Sequence, residues 1–421
     1  MTRRWLRPVA LLSIALLAGC GGGGGGGGGA TPPNPPSAGG TPVSVTFSGT
    51  SMPTAVALAI GTGSFAAQTL SGGHLTFTLP QGTKTYQLAY HCPPYAAMGM
   101  ADDEYIIDAN VSDGTSPVLS CYAPAAGSNV SIAVNALGIG AASNAGVVAG
   151  GNWGGFAGAA SGTVNTTFPN GTYDVAALAL DSGNNIVGVK FARNQTIPGI
   201  LNGGNPIVLG ATDQTTTSTM TVAGIPSGFN PTPAYNIAYV TANGTSFGLN
   251  RSSTSTYAVV PAANQAAGDA YQFESNDADS ATNQHVGATA YASTGGPVTV
   301  TLPAAWVYTG PAAAAYPSFT FAYSGFTGLT VTDHGSIFWQ ENPTTEAGIQ
   351  LYVTPAYLGS GTTASIPNLA TLTGFLAAAA SGTHVSVVSE IDAGASLSYL
   401  NQQQTTGTQS YVQNDSTYVE P

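Results

Sequence analysis

Apolar and polar residues alternate in short runs along most of this chain. In residues 74–79, Leu75, Phe77 and Leu79 fall on one side of an extended strand, and polar residues fall on the other. Comparable runs follow about 8 to 12 residues apart, and Gly, Pro, Asn and Asp separate them. This pattern is typical of antiparallel β-sandwiches and predicts an all-β protein.

Two proline-containing markers recur with a period of about 90 residues. In the first marker, glycine and tyrosine follow a proline, and the three prolines are Pro80, Pro169 and Pro261. In the second marker a proline precedes a short apolar run, as at Pro117, Pro206 and Pro297. Because two independent markers give one period, the sequence predicts tandem sandwich units. The predicted units span residues 42–125, 126–213, 214–302 and 303–400, and the fourth has diverged.

The second unit shows the local order of turns and strands most clearly. Residues 169–180 predict a turn followed by a strand, and residues 181–185 predict the next turn. This order resembles that of transthyretin-like and carboxypeptidase-regulatory-like sandwich domains over part of each unit. The resemblance implies that each unit is an antiparallel, Ig-like or transthyretin-like β-sandwich.

Helix signals are scarce, and the clearest lies in residues 368–380. Asn368 is a suitable N-cap, and Leu369, Leu372 and Leu376 follow at helical spacing, so a short helix is predicted. Residues 401–421 form a polar tail of Gln, Thr, Ser and Asn. We expect this tail to fray or to add one edge strand.

The N-terminus has the layout of an export signal. Arg3, Arg4 and Arg7 precede an uncharged apolar run that is too short to span a bilayer. Residues 17–20, Leu-Ala-Gly-Cys, resemble the lipobox of bacterial lipoproteins. The resemblance implies a signal peptide over residues 1–19, cleavage before Cys20 and lipid attachment to that cysteine. An ordinary secretory signal with a chance cysteine is the alternative.

Residues 20–41 predict a flexible tether. Nine consecutive glycines follow Cys20, and a proline-rich polar stretch comes next. Such a segment buries too little apolar surface to offset its ordering entropy. Gly21 directly after the cysteine implies, by resemblance to the lipoprotein sorting pattern, retention in the outer membrane. The body would then be periplasmic or face the cell surface.

Charge excludes one class of partner. Charged residues are 6% of the 421 residues, and removal of the signal would leave Lys84, Lys190, Arg193 and Arg251 against 19 carboxylates. Nucleic acids bind clustered Lys and Arg, so no nucleic-acid partner is expected. An anionic membrane surface would repel the body, which leaves the lipid as the membrane anchor.

The cysteines other than Cys20 form an even pair. In an oxidising compartment Cys92 and Cys121 are expected to form a disulfide. A metal site or a reactive thiol at Cys92, next to His91, is the alternative, although one histidine and two cysteines leave a zinc site one ligand short.

Catalytic motifs do not emerge from the sequence. No histidine is followed by glutamate as in zinc proteases. Asp333, His334 and Ser336 lie close together in sequence, but neighbouring strand residues point to opposite faces. We therefore expect residues 333–336 to form a turn.

Two acidic clusters are candidates for calcium binding, since calcium prefers six to eight oxygen ligands. One comprises Asp102, Asp103 and Glu104, and the other comprises Glu274, Asp277 and Asp279. Neither matches the twelve-residue calcium loop, and solvated loops are the simpler interpretation. No cofactor is expected.

Trp153 is the candidate ligand-binding aromatic, because it lies in a glycine-rich stretch, residues 150–156, that predicts a loop presenting the ring. A core aromatic is the alternative. Together these features predict a lipid-anchored envelope protein with a non-enzymatic role in surface binding, adhesion or structure, and an envelope protein or a glycan as ligand. A polysaccharide-acting enzyme or a carbohydrate-binding module is the alternative function. An assembly or secretion partner is a third, and would need a long uncovered edge strand.

Overall fold

The computed structural model describes residues 39–48, 51–93, 102–121, 126–250, 254–305, 318–320, 330–342, 345–377, 380–394 and 409–419. The predicted signal peptide, Cys20 and residues 20–38 of the predicted tether lie outside this part, as does the side chain of Trp153. Within the described ranges, no helix is long and apolar enough to cross a membrane.

Between residues 41 and 301, the described residues form three consecutive units of seven strands each. The first unit contains β1 (Thr41–Ser48), β2 (Ala55–Ile60), β3 (Ala66–Gln68), β4 (His74–Leu79), β5 (Thr85–Cys92), β6 (Asp102–Asn110) and β7 (Val118–Ser120). The second contains β8 (Gly127–Asn135), β9 (Asn144–Ala149), β10 (Asn152–Phe156), β11 (Ser161–Pro169), β12 (Gly171–Leu180), β13 (Ile186–Ile197) and β14 (Ile207–Val208). The third contains β15 (Thr216–Ala223), β16 (Ala234–Val240), β17 (Ser246–Gly248), β18 (Thr256–Val259), β19 (Ala270–Asp279), β20 (Gln284–Ala292) and β21 (Val298–Thr301).

The three units share one strand order. In each, the first strand pairs antiparallel with the fourth and parallel with the seventh, which gives a three-stranded sheet. The other four strands form the opposing sheet in the order third, second, fifth, sixth. The proline of the first marker ends the fourth strand or follows it, before the fifth strand begins, and the second marker precedes the seventh strand. The described chain is therefore an all-β protein of tandem sandwiches.

Alternation along the first strand explains how each sandwich closes. In β1, Val43, Val45 and Phe47 are buried and their neighbours are more exposed, so one face of the strand enters the core. These side chains pack with Leu88 and Tyr90 from the opposing sheet. Full burial of such side chains contributes about 1.5–3 kcal/mol each.

Strand β12 of the second unit is buried on both faces. Val175, Ala177 and Ala179 face the core of their own sandwich. Leu178 and Leu180 face the other way and join a cluster that includes residues of the third unit. The outer face of this sheet is therefore an interface between the second and third units.

The remaining strands join the first unit to the third. They are β22 (Ser318–Thr320), β23 (Thr330–Asn342), β24 (Thr345–Val353), β25 (Thr363–Ser365), β26 (His384–Gly394) and β27 (Gln409–Val419), with helix α1 (Pro355–Leu358) between β24 and β25. Strands β22 and β25 pair with each other. The other four lie in the middle of a 12-stranded sheet whose order is β17-β16-β19-β20-β27-β26-β23-β24-β6-β5-β2-β3. Strand β24 pairs parallel with β6, and β27 pairs antiparallel with β20.

Three local expectations were wrong. In the polar tail, residues 409–419 neither fray nor add an edge strand, because they form β27, which pairs on both sides, with β20 and β26. The described part of residues 368–380 contains turns instead of a helix, since Gly374 adopts a left-handed φ of 90° that a helix does not contain. Residues 333–336 lie in strand β23, so they do not form a turn.

Candidate functional site

A cleft of about 710 Å³ lies between the second and third units. The second unit contributes Phe156 at the end of β10 and the turn between β12 and β13. The third unit contributes Tyr257 and Ala258 from β18 and the residues around Leu249. Polar lining residues are mostly amides and hydroxyls, namely Asn184, Asn185, Gln214, Thr215, Thr217 and Thr256. The cleft is thus formed by two sandwiches and does not exist in either one alone.

Phe156 is an exposed aromatic ring at this cleft. It pairs with Gly146 of β9, and its ring lies across that glycine. A Cβ at position 146 would come within 3.0 Å of the ring atom Cδ1, so glycine leaves the space that the ring occupies. Phe156 is nevertheless 52% exposed as a residue. Strand pairing and the missing side chain at Gly146 therefore hold Phe156 at the surface.

The stretch around Trp153 is a strand instead of the expected loop. Residues 152–156 form β10, which pairs with β9 through an irregularity between Trp153 and Gly155. The structure places the backbone of Trp153 three residues from Phe156 on this strand. The sequence alone pointed to Trp153 and not to Phe156. The position of the Phe156 ring depends on the residue opposite it on β9, which is Gly146.

The turn that lines the cleft is built around Asp181. Its carboxylate Oδ1 accepts hydrogen bonds from the backbone N–H groups of Gly183 and Asn185, at 2.8 and 2.9 Å. The Asn185 Nδ2 donates to both Asp181 oxygens. Asn184 takes a left-handed φ of 60°, which asparagine tolerates better than most residues. The Asp181 carboxylate therefore stabilises the turn by accepting these hydrogen bonds.

Arg193 joins the second unit to the third through hydrogen bonds to both. Its Nη1 donates to Asp174 Oδ2 at 2.8 Å in the second unit, and its Nη2 donates to Asp269 Oδ2 at 2.8 Å in the third. Nη2 also donates to the carbonyl oxygen of Asn264. The guanidinium carbon lies 4.1 Å from the ring centroid of Phe191. One cation therefore bridges two carboxylates from different sandwiches.

The carboxylates of Asp174 and Asp269 each accept several hydrogen bonds. Burial opposes the charge of Asp174, but hydrogen bonds from the Asn194 backbone and from the Arg193 and Asn243 side chains hold its pKa below its usual value. Asp269 accepts hydrogen bonds from the Tyr239 hydroxyl and from two backbone N–H groups. Such a network fixes the relative position of the two walls of the cleft.

The first acidic cluster lies on a strand and not in a solvated loop. Asp102, Asp103 and Glu104 begin β6, which pairs with β5 on one side and β24 on the other. Asp103 and Glu104 are both buried, and their side chains alternate between opposite faces of the sheet. Adjacent positions on a strand do not direct two carboxylates at one calcium ion.

Glu104 shares its face with a second buried carboxylate, Asp108, four residues along the same strand. Glu104 Oε2 accepts a hydrogen bond from the Leu376 backbone N–H at 3.0 Å. Asp108 Oδ1 accepts one from Gln87 Nε2 at 2.8 Å. Burial raises both pKa values to about 7, and these hydrogen bonds oppose the rise. The segment that includes α1 and Leu376 covers this face of the first unit.

The carboxylates of the second acidic cluster also point in different directions. Glu274 and Asp277 are buried at positions of β19 that point to opposite faces, and burial raises the pKa of each. Glu274 accepts a hydrogen bond from Asn236 Nδ2 at 3.1 Å. Asp279 ends the strand and accepts hydrogen bonds from Ala281 N and Thr282 Oγ1, so it caps a turn. Among the described residues, no group of three or more His, Cys, Asp or Glu side chains is placed to hold a metal ion.

Cys92 and Cys121 form a disulfide in the first unit. Cys92 ends β5 in one sheet, and Cys121 follows β7 in the other, so the bond links the two sheets of the sandwich. The cysteines are 29 residues apart, and closing such a loop contributes roughly 3 to 4 kcal/mol in the chain-entropy model.

Comparisons with known proteins do not assign this chain to a family. No protein-family model and no curated protein matches this chain. Among solved structures, the crystal structure of chicken CNTN1 FN1-FN3 domains is similar at 9% identity, covering 60% of this chain and 83% of that one, with a TM-score of 0.13. The fold assignment therefore rests on the strand order itself, which makes the chain a tandem β-sandwich protein.

Proposed function

We propose that this protein is a lipid-anchored, non-enzymatic binding protein of the bacterial outer membrane. The observation that carries the proposal is the cleft between the second and third units, where an exposed aromatic ring and neutral polar groups line about 710 Å³. Ligand sites typically occupy about 300–1,000 Å³ and often lie between domains. The lipobox-like residues and the glycine-rich tether support the anchored location.

The chemistry of the lining favours binding over hydrolysis. A glycosidase needs two carboxylates facing each other across the scissile bond. The lining of this cleft includes one carboxylate, Asp181, whose oxygens accept hydrogen bonds within its own turn. The paired carboxylates that would favour the enzyme alternative are therefore not part of this lining.

The ends of the 12-stranded sheet also bear on function. The sheet is bounded by β3 and β17, and each of these strands has three residues. Short edge strands are a recognised protection against pairing with another chain. This feature protects the two ends of the 12-stranded sheet against growth by strand addition.

If lipid on Cys20 anchors the protein, replacing that cysteine should release the protein from the membrane. The Cys20→Ser variant lacks the thiol that carries the lipid, so it should move from the outer-membrane fraction to the soluble fraction. Fractionation followed by immunoblotting measures this change. A matched Cys92→Ser/Cys121→Ser variant keeps Cys20 and should stay in the membrane fraction. Membrane retention of the Cys20→Ser protein would contradict lipid anchoring.

Binding in the cleft predicts position-dependent cross-linking. A photoreactive residue at Thr217, which lines the cleft on β15, should capture an envelope component in intact cells. The control position is Thr219, which is exposed on the same strand but is not part of the lining. Mass spectrometry of the conjugates identifies the component. Equal yields at both positions, or none at either, would refute the cleft as a binding site.

A further inference from the structure

Residues 355–377 lie against the outer face of the first unit without being part of its sheet. Their one strand, β25, pairs with β22 and with no strand of the 12-stranded sheet. We propose that this segment, which we call the cover, is a conformational device that stays closed while Glu104 and Asp108 beneath it are neutral and is released when they ionise. The proposal is independent of ligand binding in the cleft.

Apolar side chains attach the cover to the sheet. Ile366 and Leu369 are buried and belong to one cluster with Ile106 of β6. Gly374 lies over β2, because a Cβ at this position would come within 2.9 Å of the Ala55 Cβ. Closing the cover therefore removes this face of the sheet from water, together with the carboxylates that the face carries.

Polar contacts fix the two ends of the cover. At its start, Asn110 Nδ2 donates to the carbonyl oxygen of Ala356 at 3.0 Å, and helix α1 contacts β6. Near its end, the Leu376 N–H donates to Glu104 Oε2 at 3.0 Å. None of these contacts is a ladder hydrogen bond of the 12-stranded sheet. The cover can therefore leave while the sandwich of the first unit stays folded.

Glu104 and Asp108 are buried with little to balance a negative charge. Within the described part of the chain, neither takes part in an ion pair, and each accepts one hydrogen bond, from Leu376 N and Gln87 Nε2. A buried carboxylate that is stable in its ionised form accepts two or three N–H bonds. Burial therefore raises the pKa of both groups to about 7, and water at an open site would stabilise their ionised forms.

Several titratable groups lie near the two carboxylates. On β24 the facing residues are apolar. The titratable groups come from β5, β6, the turn after β6, β23 and the cover, namely His91, Asp102, Asp113, Asp333 and Tyr357. The side chains of the aspartates on β6 and β23 lie outside the described part. Tyr357 stays neutral between pH 5 and 8, since burial and Asp108 raise its pKa to about 12. His91 lies opposite Glu104, so a test must separate its titration from that of the carboxylates.

Release of the cover follows from a difference in proton binding. In the closed form both carboxyl groups hold their protons up to about pH 7, whereas hydrated carboxyl groups ionise near pH 4. The closed form is therefore most stable below about pH 4 and loses this advantage as the pH rises to about 7. Each pH unit in that interval favours release by up to about tenfold for each carboxylate.

Hydrogen exchange of the full-length protein, measured by mass spectrometry, tests the proposal. From pH 5 to pH 7, after correction for the intrinsic exchange rate, protection of the cover should fall about tenfold or more. The Leu376 amide is the most direct reporter, because it donates to Glu104. Amides of β5 should exchange at least about tenfold more slowly than the cover at pH 7, since they become exposed only when the sandwich unfolds. The Glu104→Gln/Asp108→Asn variant keeps His91 but has no carboxylate at these positions, so its cover should stay protected.

The matched control is Glu274→Gln, which removes a buried carboxylate of the third unit whose pKa is also raised by burial. It should leave the pH response of the cover unchanged. The single variants Glu104→Gln and Asp108→Asn should each show a smaller response than the original protein, which provides the test if the double variant does not fold. Cover protection that is constant with pH, a full response in the variants, or one common exchange rate for the cover and β5 would overturn the proposal.

Discussion

Replacing Arg193 with alanine should lower the free energy of unfolding of the second and third units by about 3–5 kcal/mol. The expected cost is large because the change leaves two carboxylates without their cation. Asp174 is 0% exposed and Asp269 is 6% exposed, so neither can recover its hydration in the folded protein. Chemical denaturation followed by tyrosine fluorescence measures the difference.

The control is the other described cation–carboxylate contact of the second unit. Lys190 lies 3.4 Å from Asp213, and its side chain is 40% exposed. Exposed pairs contribute about 0–1 kcal/mol, so Lys190→Ala should have a small effect. Arg193→Lys keeps the charge but loses the second hydrogen-bonding arm, and should fall between the two. An Arg193→Ala cost as small as that of Lys190→Ala would show that the bridge is not important for stability.

Raising the pH from 5 to 8 should destabilise the first unit through Glu104 and Asp108. Both pKa values are raised to about 7 in the folded protein, whereas the unfolded chain has ordinary carboxyl values near 4. Between these limits the folded state binds more protons than the unfolded state, so stability is highest at low pH and falls as pH rises to about 7. Each group contributes at most about 1.4 kcal/mol per pH unit in that interval.

The expected measurement is the melting temperature as a function of pH. The double variant Glu104→Gln/Asp108→Asn cannot ionise at these positions, so its melting temperature should fall less between pH 5 and 8. The control is Asp279→Asn, because hydrogen bonds in its turn lower the pKa of Asp279 and keep it ionised throughout this range. If the double variant keeps the full pH dependence, the buried carboxylates are not its source.

Local patterns in the sequence predicted the architecture of the first three units. The alternation seen at Leu75, Phe77 and Leu79 depends on neighbours within a strand, and it is visible without tertiary structure. The proline markers at Pro80 and Pro117 occupy connections that recur in each unit, so they predicted the period. The disulfide was predicted because two cysteines remain after Cys20 is assigned to the lipid.

Long-range pairing could not be predicted in the same way. The residues of β27 are polar, and such composition is typical of a tail, but its partners on β20 and β26 give it an interior position. Glu104 belongs to an acidic stretch that predicts a solvated loop. It is buried because a backbone N–H from Leu376, far along the chain, satisfies its carboxylate. Nothing in the local sequence records either partner.

In the candidate site, too, the locally determined part was predicted from the sequence and the part that depends on strand pairing was not. The turn at residues 181–185 was predicted from its own residues, and it lines the cleft. Phe156 was missed, because its exposure depends on the absence of a side chain at Gly146 on the neighbouring strand. A glycine opposite an aromatic residue becomes a signal once the strand register is known.

The 12-stranded sheet imposes an order on biogenesis. Strand β6 is synthesised long before its neighbour β24, because residue 102 pairs with residue 347. Strand β20 similarly waits for residues 409–414. Until then each has an open edge that can pair with another chain, and such distant pairings form slowly. A holding chaperone would therefore have most to protect in the interval between synthesis of the first unit and synthesis of the last strand.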